Sequence, residues 1–157
     1  MTTLVAGIGN VFLGDDAFGV EVVRRLSERP ARDGVRIADF GIRGIDLTYA
    51  LLEGWDRVIL VDATPRGGAP GTLYVLDPEL PEAGAVAGLE AHGVVPVQAL
   101  SMARALGGRL PSLRVVGCEP ARVPEGDDVE VGLSPPVAAA VDGAVRLIED
   151  LLEDRHA

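Results

Sequence analysis

Two short apolar runs limit what this chain can become: Leu4-Val5-Ala6-Gly7-Ile8, and Val58-Ile59-Leu60-Val61 closed by Asp62. Neither alternates apolar with polar residues, so each predicts a strand covered on both faces. Such strands belong to parallel sheets clad by helices. The intervening sequence supplies the cladding. Phe18, Val22, Val23 and Leu26 recur at helical spacing over residues 17–26. Residues 45–52 read as a helix closed by Gly54, residues 97–106 as one with Pro96 suited to its first turn, and residues 135–152 as a long terminal helix. The second run extends over residues 57–62, and further strands are expected at residues 35–40 and 113–118. Residues 71–76 alternate like an edge strand and, after so short a connection, are expected to run antiparallel. Residues 77–88, rich in Pro, Glu and Gly, read as a loop. The expected fold is a single α/β domain over residues 1–157, a three-layer α/β/α sandwich. Its twisted, mainly parallel sheet should hold about five strands with one antiparallel edge.

In such sheets ligands bind beyond the carboxyl ends of the strands, where strand order reverses. If the first and third strands are neighbours, two acidic positions meet there. Asp15 and Asp16 follow the first strand, and Asp62 ends the third. The segment Gly7-Ile8-Gly9-Asn10-Val11-Phe12 imitates a dinucleotide fingerprint, but Phe12 stands at the third glycine and two carboxylates follow where a pyrophosphate would sit. One of the two is expected to cap the following helix. Asp62 has an ordinary alternative as a partner of loop amides, and His92 as a solvated loop histidine.

Charge and composition remove other chemistries. The net charge of −10 argues against a nucleic-acid surface. All 14 basic residues are arginine, so Schiff-base chemistry and the P-loop lysine are absent. The second histidine, His156, lies at the far end of the chain, which excludes a paired-histidine zinc helix. No serine sits in a Gly-x-Ser-x-Gly elbow. Cys118 cannot form an internal disulfide, and its reading as a packing residue outweighs a thiol nucleophile. No apolar run approaches the roughly 20 residues of a membrane helix. The opening Met1-Thr2-Thr3-Leu4 lacks a basic leader segment, so a cytoplasmic protein off the membrane is expected. Asp16, Asp62 and His92 then form one candidate set. Two carboxylates and an imidazole suit a borderline divalent ion and leave coordination positions open.

At this point the residues resemble a known family, the hydrogenase maturation endopeptidases. Gly7-Ile8-Gly9-Asn10, Leu13-Gly14-Asp15-Asp16 and Gly19-Val20 are similar to its N-terminal signature, and Val58 to Ala63 to its second. Pro70-Gly71-Thr72, His92 ahead of a helix, Val116-Gly117-Cys118-Glu119-Pro120 and Gly132-Leu133-Ser134-Pro135 extend the similarity over nearly the whole chain. The resemblance implies a nickel-dependent endopeptidase that removes a C-terminal extension from a [NiFe]-hydrogenase large-subunit precursor after nickel insertion. It puts the catalytic and metal-binding roles on Asp16, Asp62 and His92, with Ni(2+) delivered in the substrate. Aspartate replaces the glutamate frequent at the first of these positions, so Asp15 stays open as a substitute. It also implies a monomer acting transiently on one protein partner. The loop holding Gly41, Arg43 and Gly44 is expected to contact substrate, Arg43 through an acidic or carbonyl group. A scaffold for nickel insertion that does not cleave is the alternative, and a dinucleotide-binding module a more distant one.

Overall fold

The structure is a computed structural model and describes residues 1–78 and 94–154. Among these, β1 (Thr3–Ile8) passes through a 3-10 turn (Gly14–Ala17) into α1 (Phe18–Ser27). β2 (Val35–Gly41), α2 (Gly44–Leu51), β3 (Arg57–Ala63) and β4 (Leu73–Leu76) follow, then α3 (Val94–Ala105), β5 (Ser112–Cys118) and α4 (Pro135–Glu153). The five strands form one sheet in the order β2-β1-β3-β5-β4. β1 pairs in parallel with β2 and β3, and β3 with β5, whereas β4 closes the edge antiparallel to β5.

The two uninterrupted runs, β1 and β3, are buried at every position. Their side chains divide by period two between separate cores. Val5, Ile59 and Val61 point toward α1 and α4, meeting Phe18, Val22, Val141 and Val145. Leu4, Ala6, Val58 and Leu60 point toward α2 and α3, meeting Leu47, Leu51, Leu100 and Ala103. Each large aliphatic side chain so buried contributes roughly 1.5–3 kcal/mol, which short helices could not supply alone. The expected three layers are therefore present.

Boundaries move by a few residues, with identifiable causes. The edge strand starts at Leu73 because residues 69–72 form a turn, in which the Thr72 amide donates to the Ala69 carbonyl at 3.1 Å and the Gly71 amide to the Glu119 carbonyl at 2.9 Å. α3 begins at Val94, which keeps Pro96 inside its first turn, where a missing N–H is harmless. Of the expected loop at 77–88, only Asp77 and Pro78 are among the described residues. At the sheet's other rim, buried Arg57 donates to the Leu151 carbonyl at 2.9 Å and the Asp154 carbonyl at 3.2 Å, satisfying the end of α4.

Candidate active site

β1 and β3 are neighbours, and their chains leave in different directions. After β1 the backbone turns into α1 on one face; after β3 it runs to β4 and then to α3 on the other face. The crevice at their carboxyl ends is the switch point expected for a ligand. Gly19 lets α1 start directly against both strand ends, since a Cβ there would lie 2.0 Å from the Val61 carbonyl oxygen and 2.4 Å from that of Ile8. Gly9, at φ 142°, lets the preceding loop fold onto the turn carrying Asp16. A Cβ at Gly9 would come within 1.8 Å of the Asp16 carbonyl oxygen.

That loop fixes Asp16, whose Oδ2 accepts the Asn10 amide at 2.9 Å. Asp62 is only 6% exposed, and its Oδ1 accepts the Ala63 amide at 2.9 Å. Burial first, and then the charge of Asp16, push the Asp62 carboxyl well above the usual aspartate range, against the pull of the Ala63 amide. The two carboxylates thus interact across the switch point, one of them in a poorly solvated place. Such a pair can hold a shared proton or a divalent cation, and either relieves the repulsion.

Asp15, beside Asp16 in sequence, does something else. It has no exposed surface. Its Oδ2 accepts the Ala121 amide at 2.8 Å, the Arg122 amide at 2.9 Å and the Ser134 hydroxyl at 2.8 Å, and its Oδ1 accepts the Ser134 amide at 2.7 Å. It clamps the first loop to the segment between β5 and α4. This overturns the helix-cap expectation: α1 follows Ala17 with no side-chain cap. It also removes Asp15 as a stand-in for Asp16, because both its oxygens are occupied.

The remaining candidates fall as follows. His92 lies outside the described residues, and among the described residues no group of three or more His, Cys, Asp and Glu side chains could enclose a metal ion. Gly41, Arg43 and Gly44 stand at the carboxyl end of β2, on the same rim; the Gly9 amide donates to the Gly41 carbonyl at 3.0 Å. The Arg43 guanidinium turns back on its own loop, donating through Nε to the Phe40 carbonyl at 3.2 Å and through Nη2 to the Asp39 carbonyl, and lies 3.5 Å from Asp46. It braces the turn into α2. Cys118 is fully buried in the core under α4, and burial with the charges of Asp15 and Glu119 pushes its thiol up to about 11. It is a packing residue.

Sequence reasoning gave no role to Glu119. Its carboxylate is buried and accepts the Arg66 amide at 2.9 Å, the Gly68 amide at 2.8 Å and the Tyr74 hydroxyl at 2.9 Å. It anchors the turn after Asp62. The signal was available: Glu119 follows β5 directly, as Asp62 ends β3, and a carboxylate at the end of an apolar strand needs donors.

Comparison with known proteins follows the same lines. A family model described as hydrogenase maturation protease matches residues 20–151. The chain is 32% identical over 150 residues to the hydrogenase 2 maturation protease of Escherichia coli, spanning 94% of this chain and 88% of that protein. It is 34% identical over 154 residues to the coenzyme F420 hydrogenase subunit delta of Methanothermobacter thermautotrophicus, spanning 94% and 92%. The solved hydrogenase maturating endopeptidase HybD of E. coli superimposes with a TM-score of 0.81 at 31% identity, over 98% of this chain and 93% of that one.

Proposed function

This chain belongs to the hydrogenase maturation protease family and is an endopeptidase, and from that premise we propose that it removes the C-terminal extension of a [NiFe]-hydrogenase large-subunit precursor once nickel is in place. The observation supporting this most directly is the interaction of Asp16 with buried Asp62 at the switch point. Asp16, Asp62 and His92 are the residues proposed to meet the substrate's nickel. Their donor set fits, since two carboxylate oxygens and an imidazole suit a borderline divalent ion. A cation also relieves the repulsion from Asp16 that adds to burial in raising the Asp62 carboxyl.

Three protein ligands bind such an ion weakly alone, so the nickel arrives held by the precursor, and recognition of the metal brings the scissile bond to the carboxylates. The bound ion supplies Lewis-acid polarisation of a carbonyl or a water. The chain's own residues supply position and proton handling. The Asn10 amide orients Asp16, burial keeps water from Asp62, and whichever carboxylate is not committed to the ion acts as general base.

The test is incubation with nickel-loaded precursor, read by intact-protein mass. Wild-type protein should release a C-terminal peptide, while Asp16→Asn, Asp62→Asn and His92→Ala stay folded and release none. Precursor that binds without changing mass would replace cleavage by a scaffold role. Stoichiometric, tightly held metal in the resting protein would contradict delivery of nickel by the substrate.

A further inference from the structure

The loop that carries Asp16 is held by the segment ahead of α4. The Glu130 amide donates to the Phe12 carbonyl at 2.9 Å and the Gly14 amide to the Glu130 carbonyl at 2.8 Å, which pairs Leu13 with Glu130 in parallel. Val11, Phe12, Val129 and Val131 flank this pairing and are all exposed, Val131 by 76%. Single exposed apolar side chains are ordinary; four brought together from two segments form a patch. A groove of about 310 Å³ continues it toward α1 and α4, lined by Val11, Val131, Leu133, Ala138 and Val141 with Ala17 and Gly132. Its two charged members, Glu21 and Arg25, are already paired, with Arg24 and Asp142. Because the Glu130 backbone faces Leu13, the amides and carbonyls of Val129 and Val131 point the other way, and they make no backbone hydrogen bond among the described residues. Glu125, Asp127 and Asp128, just before them, are exposed and in no ion pair among the described residues.

We propose that this patch is where the precursor docks, through an extended apolar segment with basic residues beside it. The proposal rests on the endopeptidase reading above and adds the surface that holds the partner. An unpaired edge takes an extended chain by main-chain hydrogen bonds, and the valines and the groove then receive its alternate side chains. The three unpaired carboxylates select basic residues next to that segment. They also disfavour a second copy of this chain, whose net charge of −10 would set acid against acid. The patch is continuous with the candidate active site. Asn10 accepts the Phe12 amide on Oδ1 at 2.9 Å and donates its own amide to Asp16 Oδ2 at 2.9 Å. A precursor seated on Phe12 is therefore held beside Asp16.

The experiment uses nickel-loaded precursor and reads kcat and KM from the rate of mass change. Val129→Ser together with Val131→Ser, both at exposed positions, should raise KM about tenfold with little change in kcat. Asp127→Asn together with Asp128→Asn should raise KM about threefold and flatten the fall of kcat/KM with added salt. Binding is read separately in Asp62→Asn protein, in which cleavage is blocked. There the Val129 and Val131 amides should exchange hydrogen roughly tenfold more slowly with precursor present. An unchanged KM in the valine variant, or no slowing at these two amides, overturns the docking face. The exchange measurement decides alone if the valine variant does not fold. A wild-type dimer that the valine substitutions dissociate gives the face to a second copy and overturns the proposal. Slowed amides without cleavage by wild-type protein overturn the endopeptidase reading and leave the docking face standing.

Discussion

Adjacent aspartates with opposite duties give the sharpest test of this structure. Asp15→Ala deprives four donors of their acceptor: the amides of Ala121, Arg122 and Ser134, and the Ser134 hydroxyl. A hydrogen bond to a charged group contributes about 1.5–3 kcal/mol, and a buried donor left without a partner costs a similar amount. The four are only part-buried and share one carboxylate, so the terms do not add in full. Discounting to roughly 1 kcal/mol per donor gives a loss of about 3–5 kcal/mol, a large part of the 5–15 kcal/mol typical of a domain. At this chain length that corresponds to a fall in Tm of about 6–20 °C. Asp16→Asn should behave oppositely: stability at or slightly above wild type, because a like charge beside Asp62 is gone, with cleavage lost. Urea denaturation followed by circular dichroism, with the m-value held as a control, measures both. An Asp15→Ala protein within about 1 kcal/mol of wild type at equal m would refute the clamp.

Three further outcomes follow from the same geometry. Asp62→Asn, measured metal-free in chelator, should stabilise the protein by about 1–3 kcal/mol while abolishing cleavage, because a buried carboxylate facing another is replaced by a neutral amide; a destabilised variant would contradict this. Cys118, with its thiol at about 11 and no exposed surface, should resist a disulfide reagent at pH 8 in the folded state and react with one equivalent after denaturation. At Glu119 burial opposes the charge, but the Arg66 and Gly68 amides and the Tyr74 hydroxyl outweigh it and hold the carboxyl below its ordinary value of 4.5. Its contribution to stability is therefore complete above that value and disappears as pH falls through the lower folded one. The stability gap between wild type and Glu119→Gln should be constant near neutrality and close under acid; a gap that widens there would reverse the sign argued here.

The layers, the mainly parallel sheet and its antiparallel edge were readable because the signals for them are local and repeated. The neighbouring of β1 and β3 entered only as a condition and was supplied by the structure. Leu4 to Ile8 and Val58 to Val61 lack alternation, and only strands buried on both faces tolerate that. The short path from Asp62 to Leu73 leaves no room for a crossover helix, so the next strand had to turn antiparallel. The meeting of Asp16 with Asp62 was readable once β1 and β3 are neighbours, since parallel order and strand-end placement fix where the loops converge.

What could not be read is which partner each polar side chain finds. Asp15 and Asp16 offer the same chemistry one residue apart, and nothing local separates them. They are separated by residues more than a hundred positions away, at Ala121, Arg122 and Ser134, whose amides reach Asp15 and leave Asp16 to the crevice. The same holds for Arg43. Its exposed setting between two glycines suggested an outward contact, but the guanidinium also donates back to the carbonyls of Asp39 and Phe40 at the end of β2. Hydrophobic periodicity is a property of a segment and survives without knowledge of the rest of the chain. Satisfaction of a buried charge depends on the whole fold, because a donor must be brought to it from wherever the chain passes. For this reason the clamp at Asp15 and the anchor at Glu119 became visible only when the distant segments were in place, although the residues composing them stand plainly in the sequence.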